Sequence, residues 1–306
     1  MELEAVRGSL VGTLVGDSLG LPYEGLSSRR GQRLMRLPLR QRLLMGHGAP
    51  SDDTLQSYLV ACSLASCKGD LVCFQRRFAR SLRSWFLSIP PGIGLATVKA
   101  CVRLCIGFPP SRSGVASAGN GAAMRSAVIG AWFCHDETER IKAVEASCTV
   151  THTHALALQG AQLIALAAAL SATERSGEFT DSAQRLCPDW PWKEAGTSGY
   201  VVHSVNSVLC LWQSFGSDPV RAIEEAIRLG GDTDTIGAML GGILGAGRFT
   251  EWPSEWLRVV GVPSFETLTR FSGTSRPPGY FGMLGWNLLT LPTILLFGFR
   301  RLLPPY

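Results

Sequence analysis

Two apolar stretches of helical period, far apart in the chain, each open on paired carboxylates. Ser51-Asp52-Asp53-Thr54 precedes Leu55, Tyr58, Leu59 and Cys62, and Asp232-Thr233-Asp234-Thr235 precedes Ile236–Ala246. The second stretch follows Gly230-Gly231 and is too apolar to lie in water, so it reads as a core helix. A fold that buries both helices must also bury the acids at their mouths. That is costly unless something positive sits between them. Either cluster alone is a good N-cap, because Asp, Ser and Thr satisfy free N–H groups at a helix start. Two such clusters, with hydroxyls beside them and few histidines or thiols nearby, point instead to an oxygen-only site. Such ligands suit magnesium or manganese rather than zinc.

The remainder of the chain allows a large core. Of 306 residues, 46% are apolar and only 17% charged, which gives a core-rich globule without disordered tails. A net charge of +5 is too small and too spread to imply nucleic acid, yet it suits a phosphate-bearing small substrate. The dense basic run from Arg29 to Arg42 reads as a solvated loop, or as a rim that attracts an anionic target. Nine cysteines without framework spacing argue for a reducing cytoplasm, with Cys62, Cys67, Cys73, Cys101 and Cys105 as small buried hydrophobes. Glu2, Glu4, Arg7 and Asp17 interrupt the apolar start, against both a secretory leader and a span. Gly8, Gly12, Gly16 and Gly20 make one smooth helix face that lets another helix approach closely.

Helical periodicity dominates. Leu71, Phe74, Phe78, Leu82 and Trp85 form a stripe that Pro90-Pro91 stops. Further helices are predicted at Ala122–Phe133, Ile141–Val150, Ala155–Leu170, Tyr200–Phe215 and Pro219–Leu229. Strand text is scarce, so the chain is all-α, a single large multi-helix globule. Residues 172–198 read as a loop excursion. The segment Leu284–Phe299 is almost wholly apolar and is followed by Arg300-Arg301. Its sixteen residues, interrupted by Asn287 and Pro292, fall short of the ~20 that span a bilayer. No transmembrane span is expected. The expectation is a strap that buries its Leu and Phe on the globule, with an interfacial anchor as the alternative.

Five motifs stand in order: Gly16-Asp17-Ser18-Leu19-Gly20-Leu21-Pro22-Tyr23-Glu24-Gly25, Ser51-Asp52-Asp53-Thr54, Gly119-Asn120-Gly121-Ala122-Ala123-Met124-Arg125, Thr151-His152-Thr153-His154 and Gly230-Gly231-Asp232-Thr233-Asp234-Thr235. Together they resemble the ADP-ribosylglycohydrolase family, which includes the dinitrogenase-reductase-activating glycohydrolases, over roughly residues 5–270. The resemblance implies an all-α catalytic domain at 1–270; residues 271–306 lie beyond it and are read as an apolar extension packed on the domain. It also implies two Mg2+ or Mn2+ ions in a cleft and hydrolysis of the glycosidic bond to ADP-ribose.

Carried over by position, the resemblance assigns Ser51, Asp52, Asp53, Asp232, Asp234 and Thr235 to the metals, and Glu24 and Asp53 to catalysis. Ser117, Gly119, Asn120, Gly121 and Met124 match the ribose-diphosphate loop, where small residues before a helix expose N–H groups to a pyrophosphate. His152 matches a substrate-side histidine, with His154 a less certain neighbour. Gly199-Tyr200 matches a segment whose tyrosine either stacks on adenine or packs in the core. Arg125 is either a phosphate contact or a structural anchor. Two positions depart from the pattern. Gly92-Ile93-Gly94 lacks the acid that some arginine-directed members carry there, and His203 stands where bacterial relatives commonly have Asp. The implied partner is an ADP-ribosylated protein or small molecule, acted on by a monomer. A non-catalytic ADP-ribose binder and a pyrophosphate-cutting phosphohydrolase are the rivals.

Overall fold

The structure, a computed structural model, describes residues 2–35, 37–247 and 251–301, with the backbone alone at 300 and 301. Its helices in chain order are α1 (Leu3–Gly20), α2 (Ser28–Leu34), α3 (Asp52–Cys67), α4 (Leu71–Leu87), α5 (Leu95–Cys105), α6 (Ala127–Trp132) and α7 (Glu137–Thr149). They continue with α8 (Ala155–Ala172), α9 (Phe179–Leu186), α10 (Val201–Phe215), α11 (Pro219–Leu229), α12 (Thr233–Ala246), α13 (Phe265–Thr269) and α14 (Tyr280–Arg301). Among the described residues, strand pairing is confined to isolated bridges. The protein is an all-α single globule.

The glycine face of α1 meets a second glycine face on α12, antiparallel to it. Gly8 opposes Gly245, Gly12 opposes Gly241 and Gly16 opposes Gly237, so closely that a methyl at any of them would overlap the opposing carbonyl. Backbone packs on backbone along both helices. This contact brings the C-terminal end of α1, carrying Asp17, beside the N-terminal end of α12, carrying Asp232 and Asp234. Around the pair lie α8, a helix of Ala and Leu buried on nearly every side, together with α3, α6 and α10. Amphipathic α4 covers this core with Phe74, Phe78, Leu82 and Trp85, the stripe its sequence shows. Asp70 caps α4 by accepting from the Val72 and Cys73 amides.

Several expectations are corrected. The 172–198 segment holds α9, whose Phe179 packs edge-on to Trp192 and Trp212. The basic run is not all loop, since its first turns form α2. Cys67 and Cys73 are joined by a disulfide between the end of α3 and the start of α4, and Cys105 is exposed. Their spacing placed each cysteine on a helix but did not reveal that a tight turn between the helices brings the two together. Finally, α14 is strapped on one side only. Met283, Asn287 and Thr290 are buried, whereas Phe281, Leu289, Leu296 and Phe299 face outward. The expected burial of the segment's Leu and Phe is therefore partial.

Candidate active site

The two acidic helix mouths and the Glu24-Gly25 turn that follows α1 meet at one cleft of about 730 Å3. Glu24, Asp52, Asp53, Ser117, Gly119, Asn120, Gly121, Met124, His152, Gly199, Asp232, Asp234 and Thr235 all line it. Of the residues expected there, Ser51 and Tyr200 do not. Ser51 sits just behind the wall, where its Oγ accepts from the Asp53 amide at 3.2 Å and donates to Asp53 Oδ2 at 3.0 Å. Tyr200 precedes α10, with its ring edge-on to His203 at 5.0 Å.

The capping reading holds for one cluster and fails for the other. Ser51 does cap α3. Asp232 occupies the N-cap position of α12 without making a cap bond, and its Oδ2 instead accepts from Asn120 Nδ2 at 2.7 Å. Asp52, on the first turn of α3, accepts from Gln56 at 2.9 Å, and Thr235 donates to Asp53 Oδ2 at 3.3 Å. One oxygen of each of these carboxylates is held by a neighbouring side chain, and all three acids line the cleft. The turn that delivers Asp232 needs its double glycine. Gly230 and Gly231 have φ of +72° and +76°, and a side chain on either would strike Leu26–Ser28 or Thr197.

Asp17 belongs to the same cluster, although by sequence it counts only as a charge that spoils an apolar leader. It is fully buried at the end of α1 and accepts from the Ser51 amide at 2.9 Å, the Thr54 amide at 3.2 Å and the Thr54 hydroxyl. The available signal was its place beside Gly16 inside the first motif. Burial is the largest cause that raises all these acids. Asp17 is pushed up to about 6. Asp52 rises to about 7, with the charges of Asp17, Glu24 and Asp232 adding to burial. Asp53 and Asp234 are lifted well above the ordinary carboxylate range by burial and then by neighbouring acids.

Three carboxylate oxygens, Asp17 Oδ1, Asp53 Oδ1 and Asp234 Oδ1, are buried without a hydrogen-bond partner. Orphaned acid oxygens beside like charges are what a divalent cation would satisfy, and the donor set is all oxygen. Among the described residues, no three of these carboxylates bring oxygens within 4.8 Å of one another. Among the described residues, the trio that does converge is Glu2, Cys134 and His135, at the opposite end of α1.

Opposite the acids runs the loop from Ser117 to Met124. Its backbone is tied to the α10 side by Asn120 N donating to Gly199 O at 3.0 Å. The loop was expected to lead straight into a helix whose dipole faces a phosphate. It enters a short 3-10 turn, Ala123–Arg125, and α6 begins only at Ala127, so that contribution is weaker than the sequence suggested. Arg125 is an anchor and does not line the cleft. Fully buried, it donates to Gln56 Oε1, Ser147 Oγ and O, Thr151 Oγ1 and the Gly121 carbonyl, and lies 5.1 Å over the Phe78 ring. Burial draws it down to about 10, so it stays charged at neutral pH.

His152 is buried against Gly119 and Gly121, and a Cβ at Gly121 would stand 2.9 Å from its ring. Burial, then the charge of Arg125, lowers it to about 3, so the ring is neutral. Its Nδ1 lies 2.8 Å from Thr151 Oγ1, which already receives a proton from Arg125 at 2.7 Å. The Thr151 hydroxyl also donates to the Cys148 carbonyl at 3.5 Å, so this contact is compatible with either tautomer of the neutral ring. His154 is set apart from this arrangement and caps α8.

Further wall residues lie where no motif marks them. Thr97 and the Gly92–Ala96 loop form a rim without a carboxylate, and Thr197 and Ser198 form another. His203 packs behind the second rim, its ring filling the space a side chain at Gly196 would take and its Nδ1 3.0 Å from Ser198 Oγ.

A sequence model described as ADP-ribosylglycohydrolase matches residues 2–276. The chain is 30% identical over 285 residues to an uncharacterized protein of Archaeoglobus fulgidus, covering 83% of this chain and 90% of that one. It is also 32% identical over 186 residues to the ADP-ribosylhydrolase ARH3 of Gallus gallus, a match spanning 54% of this chain and 49% of that protein. Among solved structures, an ADP-ribosylglycohydrolase-related protein complex aligns with TM-score 0.66 at 23% identity, over 94% of this chain and 98% of that one, a likeness of fold.

Proposed function

The chain belongs to the ADP-ribosylglycohydrolase family, and on that footing we propose that it is a metal-dependent hydrolase that cleaves the bond between ADP-ribose and an acceptor and releases ADP-ribose. The observation that carries this reading is the set of buried, partnerless carboxylate oxygens at one cleft, faced by Glu24 and a neutral histidine.

Asp52, Asp53, Asp232, Asp234 and Thr235 would hold two magnesium or manganese ions, with Ser51 bonded to Asp53 beside them. When bound, the ions supply Lewis-acid orientation of ribose hydroxyls and an activated water. The chain's own residues do the rest. Four carboxylates balance two divalent cations, so the loaded site is near neutral before substrate enters. Gln56 and Asn120 fix Asp52 and Asp232, which limits reorganisation as charge develops. Glu24, at the cleft wall among these acids, is the proton shuttle to the departing acceptor. The oxocarbenium-like ribose is stabilised by the surrounding carboxylates. His152 presents its neutral ring to the sugar, and Gly119 and Gly121, which have no side chains, let the diphosphate approach the backbone. The Gly92–Ala96 rim offers no acid for a guanidinium, which favours an acceptor other than arginine.

Product analysis on a panel of ADP-ribosylated arginine, serine and small-molecule substrates, with magnesium present, tests the reading. Free ADP-ribose is the expected product. AMP would indicate a phosphohydrolase, and absence of turnover across the panel would indicate a binder.

A further inference from the structure

Helix α14 is amphipathic the wrong way round for a helix that only packs on its own globule. Its polar residues face the protein. Asn287 is buried, and its Nδ2 donates to both the Ser88 carbonyl and the Ser88 hydroxyl at 2.9 Å, with buried Thr290 on the same side. Every exposed position from 281 to 299 is Phe, Leu, Gly or Pro, and no charged residue interrupts the face. Phe281, Leu288, Leu289, Leu295, Leu296 and Phe299 are all more than half exposed. A surface helix ordinarily turns its apolar stripe inward, so the outward face of α14 is shaped for contact with an apolar medium.

Its surroundings carry positive charge. The chain contains no Asp or Glu after Glu266, and Arg300-Arg301 end the helix. Near that end, Phe297 shares a hollow of about 260 Å3 with Arg30, Leu34 and Arg42, which joins α14 to the arginine-rich segment. In that segment Arg29, Arg33 and Arg40 are exposed, and so are the apolar side chains of Leu37 and Met45. At the other end, Tyr280 donates to the Leu87 carbonyl, beside the exposed side chains of Leu87 and Ile89.

We infer that α14 and the neighbouring arginine segment form a docking surface for an anionic lipid bilayer, with the helix lying in the plane of the headgroups. The stripe Tyr280–Phe299 is long and apolar enough to cross a bilayer, with mean hydropathy 1.5. The Asn287–Ser88 bonds hold it along the globule instead, and only the outer half of the helix enters the lipid. Charge selects the occupant. Exposed Arg29, Arg33 and Arg40 beside an uncharged apolar face match anionic headgroups over acyl chains, a complement that a second copy of the same arginine-rich face does not supply.

Flotation of the full chain with phosphatidylcholine vesicles, with and without phosphatidylserine, tests the inference. The protein should float with the phosphatidylserine vesicles and partition far less onto the neutral ones, and raised salt should weaken the binding. Leu289→Ser/Leu296→Ser should reduce partitioning about tenfold or more with an unchanged melting temperature, since both side chains already face outward. Arg29→Glu/Arg33→Glu should do the same for anionic vesicles. The inference is overturned if wild-type protein does not float, or if neutral and anionic vesicles bind equally. It is also overturned if the leucine variant binds like wild type, or if the wild type is a dimer that the leucine variant renders monomeric without any vesicle binding.

Discussion

Asp234 and Asp53 illustrate how one residue can be a liability to the empty fold and a requirement of its chemistry. Each places a carboxylate oxygen in the interior with no hydrogen-bond partner, among other acids that raise its affinity for a proton. Removing one of them relieves repulsion and takes away a ligand at the same time. Asp234→Ala is therefore expected to leave the metal-free melting temperature unchanged or higher while abolishing turnover. Titration calorimetry with magnesium checks the cause, and wild-type binding by the variant would remove Asp234 from the ion site. Glu24→Gln separates chemistry from binding. Affinity for ADP-ribose should stay within a few fold, and kcat should drop about a hundredfold, the scale for loss of a proton-transfer group. Full activity would assign proton transfer to another group. Legibility differed among these residues. Asp52, Asp53, Asp232 and Asp234 stood out as paired acids before apolar helices. Asp17, a single acid within an apolar stretch, gave no comparable local pattern.

At the scale of elements, the α1–α12 pair is what holds the site together. The glycine spacing on α1 announced a close helix partner without naming it, because a smooth face accepts any other smooth face. Only the matching Gly237, Gly241 and Gly245 on α12, brought alongside by the fold, complete the contact. A methyl at Gly241 would meet the Gly12 carbonyl, and backbone cannot step aside as a side chain can. Gly241→Ala is expected to destabilise the protein by about 3 kcal/mol, at the upper end for overpacking. It should also weaken magnesium binding, since α1 and α12 carry Asp17 and Asp234 at the same end. Urea unfolding and calorimetry on one preparation test both, and a variant with wild-type stability would show that the helices are less closely apposed.

For the molecule as a whole, the acid cluster makes stability depend on pH and metal together. Folding raises Asp17 to about 6 and Asp52 to about 7, so the folded protein keeps protons that the unfolded chain has released above its ordinary range near 4. The contribution is complete below about pH 4 and is lost as pH rises through 6 and 7. Metal-free protein should thus melt at progressively lower temperature between about pH 4 and 7.5. Saturating magnesium should offset that loss, with a stabilising shift that grows with pH because ions and protons compete for the same oxygens. A thermal-shift grid of pH against magnesium checks this, and a magnesium shift independent of pH would contradict it.

Local patterns determined the helices, the all-α class and the acids, because helical period, capping chemistry and hydrophobicity are written in neighbouring residues. The Phe74–Trp85 stripe of α4 is a case where such signals were sufficient. Tertiary structure alone decided what depends on residues far apart. It assigned Arg125 to anchoring Gln56, Ser147 and Thr151 and set the neutral state of His152. It also turned the polar side of α14 inward. Each of these outcomes is fixed by which distant group supplies a proton, a charge or a solvent boundary, and no window of sequence contains that partner.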